Sequence, residues 1–332
     1  MFDMRRREFI KLLGGAAAAP SFVWPHVGHA QRANWPVIGF LNSASADGYA
    51  SMANAFKQGL EDTGYVEGSN VAIECRWADN QNNRLPALAA DLVGRHVTVI
   101  FANSPSVVPA KAATDTIPIT FMTGDDPVRL GFVASFNRPG GNVTGVTILS
   151  GALAAKRLGL LHELLPRAKT IAVLINLDFQ PSEGFHADVE AAAYVLGLSI
   201  RRLEASNDRE IEIAFDRLTK ARVDALLVGP GPFLDSQRDL LVSLAAKMAI
   251  PAAYETRATA VAGGMMSYGA SVAEGYRQAG IYTGRILKGA KPSELPILQP
   301  TMFELAINLR IAKTLGLEVP LPLLGLADEV IE

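Results

Sequence analysis

The sequence predicts an α/β protein of two Rossmann-like, three-layer αβα lobes joined by three hinge crossings. Short apolar runs alternate with amphipathic stretches of helical length, the pattern of parallel strands linked by right-handed crossovers. That alternation runs once, breaks at Pro139-Gly140-Gly141-Asn142, and starts again. The length of 332 residues also exceeds one ordinary core, since single cores stop growing near about 250 to 300 residues.

In order, Val37 to Leu41 is a short apolar strand, and Tyr49 to Leu60 carries Met52, Ala55, Phe56 and Leu60 at helical spacing before Gly64. Val71, Ile73, Cys75 and Trp77 alternate with Glu74 and Arg76, which makes a strand and places Cys75 and Trp77 as packing residues. Helices are expected at 85–93, 107–113 and 128–136, with strands at 97–101 and 117–122. After the break, Val143 to Ile148 is strand-like, and helices at 156–164, 188–196, 211–221 and 237–248 alternate with strands at 171–174, 198–203 and 225–228. A glycine-rich passage at 263–269 precedes a helix over 272–287, and Phe303 to Leu317 reads as a further helix. The three crossings are expected near 143–148, 264–268 and 298–303. They divide the chain into one lobe of 31–145 plus 268–298 and another of 146–267 plus 299–332.

Residues 1–30 differ from the rest. Arg5, Arg6 and Arg7 precede a weakly apolar run and small residues at Gly28-His29-Ala30, as in a cleavable targeting segment. Arg6-Arg7-Glu8-Phe9-Ile10-Lys11 resembles the twin-arginine export motif, which implies a periplasmic destination. The net charge is −2, and residues 1–30 carry more basic than acidic side chains, so their removal leaves a mildly acidic chain. That argues against nucleic acid as a partner and against stable membrane insertion after signal removal. The single cysteine, Cys75, excludes an internal disulfide, a cysteine metal cage and a lipoprotein anchor at the signal boundary.

Several blocks then acquire a joint meaning: GYVEGSNVAIECRWADNQNNRLPALAADLV, IPITFMTGDDPVRLGFVASFNRPGGNVTGV, GGMMSYG, ILKGAKPSELP, QPTMFELAINLRIAKTLGL and ADEVIE. In this order, over about Pro36 to Glu332, they resemble the ABC transporter substrate-binding family of tryptophan/tyrosine-binding type, with the type I periplasmic binding protein fold. The resemblance implies capture of a small solute between two lobes and delivery to an ABC permease and ATPase, with no chemistry done on the solute. Asn103-Ser104-Pro105 stands where many relatives read Gly-Thr-Pro, and Asn176-Leu177-Asp178 where an Asn-Pro often stands. An aromatic amino acid is therefore one candidate solute among several.

In open parallel sheets ligands bind beyond the carboxyl ends of strands, against helix N-termini. That rule selects Asn42, Ser43, Asn103, Ser104, Thr123 and Asp126 in the first lobe. Their hydroxyls suit a carboxylate and Asp126 an ammonium, although the same residue types favour helix caps. In the second lobe it selects Asn176, the segment Gly229 to Phe233, and Tyr254-Glu255, with Tyr268 nearby. Phe233, Tyr254 and Tyr268 are candidate walls for an apolar solute. There is no HExxH, GxSxG, CxxC or phosphate loop, and no cofactor or metal site is expected. The alternatives are a sensory solute-binding subunit and an enzyme exported by the twin-arginine route.

Overall fold

The computed structural model describes residues 35–149, 153–179, 182–299 and 303–332. The expected targeting segment and its cleavage site lie outside them.

The first part of the chain forms β1 (Val37–Asn42), α1 (Ala50–Glu61), β2 (Ala72–Trp77), α2 (Leu85–Gly94), β3 (Val99–Asn103), α3 (Ser104–Ala113), β4 (Ile119–Thr123) and β5 (Val143–Thr147). Its strands make a wholly parallel sheet in the order β2-β1-β3-β4-β5. Strands β3, β4 and β5 are buried on both faces, so the threonines of β4 and β5 are buried along with their apolar neighbours.

The second part forms α4 (Ala154–Leu164), β6 (Thr170–Ile175), α5 (Ser182–Leu196), β7 (Ser199–Glu204), α6 (Asp208–Ala221), β8 (Ala225–Val228), α7 (Pro232–Ser236), α8 (Arg238–Lys247), β9 (Ala252–Tyr254), α9 (Arg257–Val261) and β10 (Met266–Gly269). Helix α10 (Val272–Leu287) follows, then β11 (Glu304–Asn308), α11 (Leu309–Thr314), α12 (Leu321–Leu326) and β12 (Glu329–Ile331). The second sheet, in the order β12-β11-β10-β9-β8-β6-β7, is parallel except where β10 meets β11. Each sheet carries an apolar core on both faces, giving three layers apiece.

The sequence reading needs three corrections. Residues 128–136 are turns, not a helix. Leu130 N–H bonds to Asp126 O at 3.0 Å, but Gly131 then adopts φ +68° and ends the turn, and Phe132 and Val133 fold into the core. The segment read as a helix from Phe303 begins instead with strand β11, because Leu305 and Ile307 alternate onto the core face beside β10. The expected crossings at 143–148 and 264–268 are largely strands β5 and β10. The chain passes between the sheets just after each of them, and again between Leu298, whose N–H bonds to Gly145 O at 3.1 Å, and β11. Gly140 and Gly141, at φ +73° and +63°, belong to the turn that enters β5.

Although α10 directly follows β10, it packs on α1 and on β3 to β5. A methyl group on Gly59 would lie 1.9 Å from Arg277 O, and one on Gly280 2.1 Å from Phe56 O. Glycine at both positions lets the two backbones approach. This contact sets Tyr276 beside Phe101, with ring centres 5.2 Å apart, at the carboxyl end of the first sheet.

Candidate functional site

The first sheet ends in a network of short polar side chains. Asn103 Oδ1 accepts from Ser43 N–H at 3.0 Å and from Ser106 Oγ at 2.6 Å, while its Nδ2 donates to Ser43 Oγ at 2.8 Å. The loops after β1 and β3 are thereby locked together. Asn42 Nδ2 donates to Tyr276 Oη at 3.0 Å, and its Oδ1 accepts from Ala44 N–H, so Asn42 holds the tyrosine rather than facing open space.

Ser104 Oγ and Thr123 Oγ1 share a hydrogen bond of 3.0 Å, and Thr123 Oγ1 also accepts from Asp125 N–H at 3.2 Å. When Thr123 donates to Ser104, the Ser104 hydroxyl is free to donate outward at the start of α3. Asp126 has a different task. Its Oδ1 accepts from Val128 N–H at 2.8 Å and from Arg129 N–H at 3.2 Å, which makes it the cap of the following turn. Its neighbour Asp125 takes both oxygens to the Arg129 guanidinium at 2.5 and 2.6 Å.

Against this end of the first sheet lies the end of the second. Asn103, Ser104, Met122 and Ile148 on one side, and Phe179, Gly231, Pro232, Asp235 and Glu255 on the other, line one cavity of about 30 Å³, with Tyr49, Val272 and Tyr276 at its back. A neighbouring cavity of about 140 Å³ shares Tyr49, Asp235 and Val272 with it and adds Arg238 and Arg257. Among the described residues three hydrogen bonds span the two sides: Tyr49 Oη to Asp235 Oδ2 at 3.5 Å, Arg238 Nη2 to Gly48 O at 3.1 Å, and Asn82 Nδ2 to Asp178 O at 3.2 Å.

The second wall is acidic. Burial, and then the nearby Glu255 carboxylate, push the Asp235 carboxyl up to about 8, against the pull of Arg238, Arg157 and the Tyr49 hydroxyl. Burial likewise raises the Tyr49 and Tyr276 hydroxyls. Behind this wall Arg157 on α4 is wholly buried. Its Nε donates to Tyr268 O at 2.9 Å, while Nη1 and Nη2 have no hydrogen-bond partner among the described residues. Burial lowers its proton affinity, and the negative fields of Glu255 and Asp235 oppose that.

Of the residues singled out in the sequence, Asn103 and Ser104 line the cavity and Thr123 supports Ser104. Ser43 and Asn42 stand one step behind. Asn176 accepts from Asp178 N–H at 2.9 Å and from Ser206 Oγ, shaping the loop after β6. Phe233 and Tyr254 point into a core, and Tyr268 packs partly buried against another, near Phe303. Trp77 and the half-buried Cys75 pack on the first-sheet core, as their alternation implies.

Sequence reasoning missed Tyr49, Phe179, Asp235 and Tyr276: Phe179 and Asp235 lie just past the strand-end segments it selected after β6 and β8, while Tyr49 and Tyr276 belong to α1 and α10 or their starts. Two signals were available, one for preferring Glu255 to Tyr254 and one for Asp235. Ala252 and Tyr254 share one core and Ala253 the opposite one, so strand parity sends Glu255 to the other face from Tyr254. Pro232 opens α7, and turning Phe233 and Leu234 into the core leaves Asp235 toward the cavity.

No helix among the described residues is long and apolar enough to cross a membrane. The fold is that of type I periplasmic binding proteins. A protein of Vibrio cholerae superposes with a TM-score of 0.82 at 22% identity, covering 89% of this chain and 99% of that one. An ABC domain from Streptococcus pneumoniae in complex with L-Trp does so at 0.80 and 24% identity, covering 90% of this chain and 100% of that one. A tyrosine-binding protein of Clostridioides difficile (strain R20291) is 27% identical over 265 residues, 79% of this chain and 76% of its own. A family model described as ABC transporter substrate binding protein matches residues 37–331, nearly all of the described chain, and the protein belongs to that family.

Proposed function

We propose that this protein is the periplasmic receptor of an ABC importer and captures a free α-amino acid with an apolar or aromatic side chain. The observation that carries this reading is the opposite polarity of two walls facing one cavity. Ser104, backed by Thr123 and the start of α3, offers donors to a carboxylate, while Asp235 and Glu255 offer acceptors to an ammonium group. Tyr49, Met122, Phe179 and Tyr276 supply the apolar surface between them. The relatives that bind L-Trp and tyrosine support the same class of solute.

A cavity of about 30 Å³ has room for about two or three water molecules, far less than an amino acid needs. Entry of the solute therefore requires the two sides to part, and the three passages after Thr147, Gly269 and Leu298 are the hinge in this reading. Binding favours the conformation in which both walls touch the solute. The solute leaves unaltered, handed to a permease and ATPase pair. The leader at 1–30, read as a twin-arginine signal, is the export route that fits this placement.

A thermal-shift screen against L-tryptophan, L-tyrosine, branched-chain amino acids, the matching acids without an amine, and small dicarboxylates tests the reading. A solute at a hundred times its Kd adds about 2.7 kcal/mol, or several degrees. A shift with amino acids alone supports it; a shift only with the acids lacking an amine overturns it.

A further inference from the structure

Two carboxylates, Asp235 from α7 and Glu255 from the end of β9, line the same small cavity, and neither has an ion-pair partner among the described residues. Asp235 touches only neutral donors through its side chain: Tyr49 Oη at Oδ2 and Thr256 Oγ1 at Oδ1, each at 3.5 Å. The charged and titratable groups around the pair are Arg157 on α4, Arg238 on α8, Tyr49 ahead of α1 and Tyr276 on α10, with Arg257, itself paired to Glu329, and Glu304 lining the adjoining cavity. Arg157 would be the natural counter-ion, yet its guanidinium is fully buried with both terminal nitrogens unpartnered, fixed through Nε to Tyr268 O. The cavity thus presents two acids with no cation in contact. Burial, and after it the field of the Glu255 carboxylate, raises the Asp235 carboxyl, so Asp235 retains a proton near neutral pH before the solute enters.

We propose, building on the amino-acid reading above, that solute binding is a cation-for-proton exchange at Asp235 and Glu255. The solute arrives with its ammonium group protonated, that group settles between the carboxylates, and the proton held by Asp235 passes to solvent. No covalent bond is made or broken. A solute without a cationic amine at this end leaves the proton in place and forgoes the exchange, so the pair selects for amines as well as setting a pH dependence.

With the Asp235 carboxyl near 8 before binding, the exchange makes the apparent affinity rise by about tenfold per pH unit between pH 6 and 7, and level off above about pH 8. Below that value the proton must be displaced; above it Asp235 is already ionised.

Titration calorimetry of the full chain with L-tryptophan and L-tyrosine at pH 7, in phosphate and in Tris, counts the protons. The expected result is release of close to one proton per solute, a Kd that tightens with pH as stated, and loss of both effects in Asp235→Asn. Indole-3-propionate, which lacks the amine, is expected to bind at least tenfold more weakly with no proton release. Tight binding of the amino acids with buffer-independent enthalpy in the wild type overturns the exchange and leaves the amino-acid reading intact. Absence of binding by tryptophan, tyrosine and the branched-chain amino acids alike, or binding of indole-3-propionate as tight as that of the amino acids, overturns both.

Discussion

Tyr49, ahead of the first helix, donates its hydroxyl to Asp235 Oδ2 on the opposite side of the cavity at 3.5 Å. The bond is long and joins a buried phenol to a buried acid, so it adds modestly to closure while favouring the ionised acid. Tyr49→Phe should shift the ligand-free ensemble toward open forms by about 0.5–1.5 kcal/mol, seen as a larger radius of gyration in small-angle scattering. An unchanged scattering profile in variant and wild type argues that the bond does not hold the lobes together.

Ser104 and Asp126 were equivalent candidates in the sequence, and the geometry separates them. Ser104→Ala should weaken solute binding by about 1.5–3 kcal/mol, as for a bond to a charged group, with little change in ligand-free melting. Asp126→Ala should lose about 1 kcal/mol of stability, as other lost caps do, and leave Kd nearly unchanged. Calorimetry and melting curves on both variants decide it; the reverse pattern would restore Asp126 to the site.

Arg157 is a buried charge with incomplete pairing, and replacing such charges with apolar side chains is often neutral or stabilising. Arg157→Met should therefore hold or raise the melting temperature. It should also weaken amino-acid binding at neutral pH, because one of the two cations that favour ionised Asp235, the other being Arg238, is gone. The affinity profile should move to higher pH. A variant that melts lower and binds normally contradicts this.

An unfolded aspartate titrates near 3.9, whereas folded Asp235 sits near 8. The folded state therefore binds more protons between those values. The stability that this group contributes is fully present below about pH 4 and is lost as pH rises through about 8. Ligand-free protein should melt lower at pH 8 than at pH 5.5 for this reason, and Asp235→Asn should reduce that difference. Differential scanning calorimetry on both proteins at the two pH values checks it.

Much of the fold was legible because its strands are short apolar runs buried in parallel sheets, a signal that survives in a single sequence. The helix misread over Phe303 to Leu317 shows where that signal fails. Glu304 to Asn308 is helix-compatible in isolation and becomes a strand only because β10 offers it an edge, with Asp328 Oδ2 accepting from Leu305 N–H at 2.8 Å. In the site, strand ends led to Asn103 and Ser104. Phe233 and Tyr254 looked like walls because aromatic residues suit both walls and cores, and only packing tells which way each ring turns. Tyr49 and Tyr276 carry no local mark at all. They meet Asp235 and Asn42 across 186 and 234 residues of chain.

The return of α10 to the first sheet has a consequence for synthesis. Phe40, Phe56 and Phe101 belong to the first half of the chain, yet the helix that completes their cover runs from Val272 to Leu287. A nascent chain that has emerged only as far as β5 lacks that helix and leaves Gly59 facing solvent where Arg277 should press against it. The first lobe therefore cannot finish folding as it leaves the ribosome. It waits for most of the second lobe to be made, during which its aromatic surface needs shielding by a chaperone or by transient self-contact.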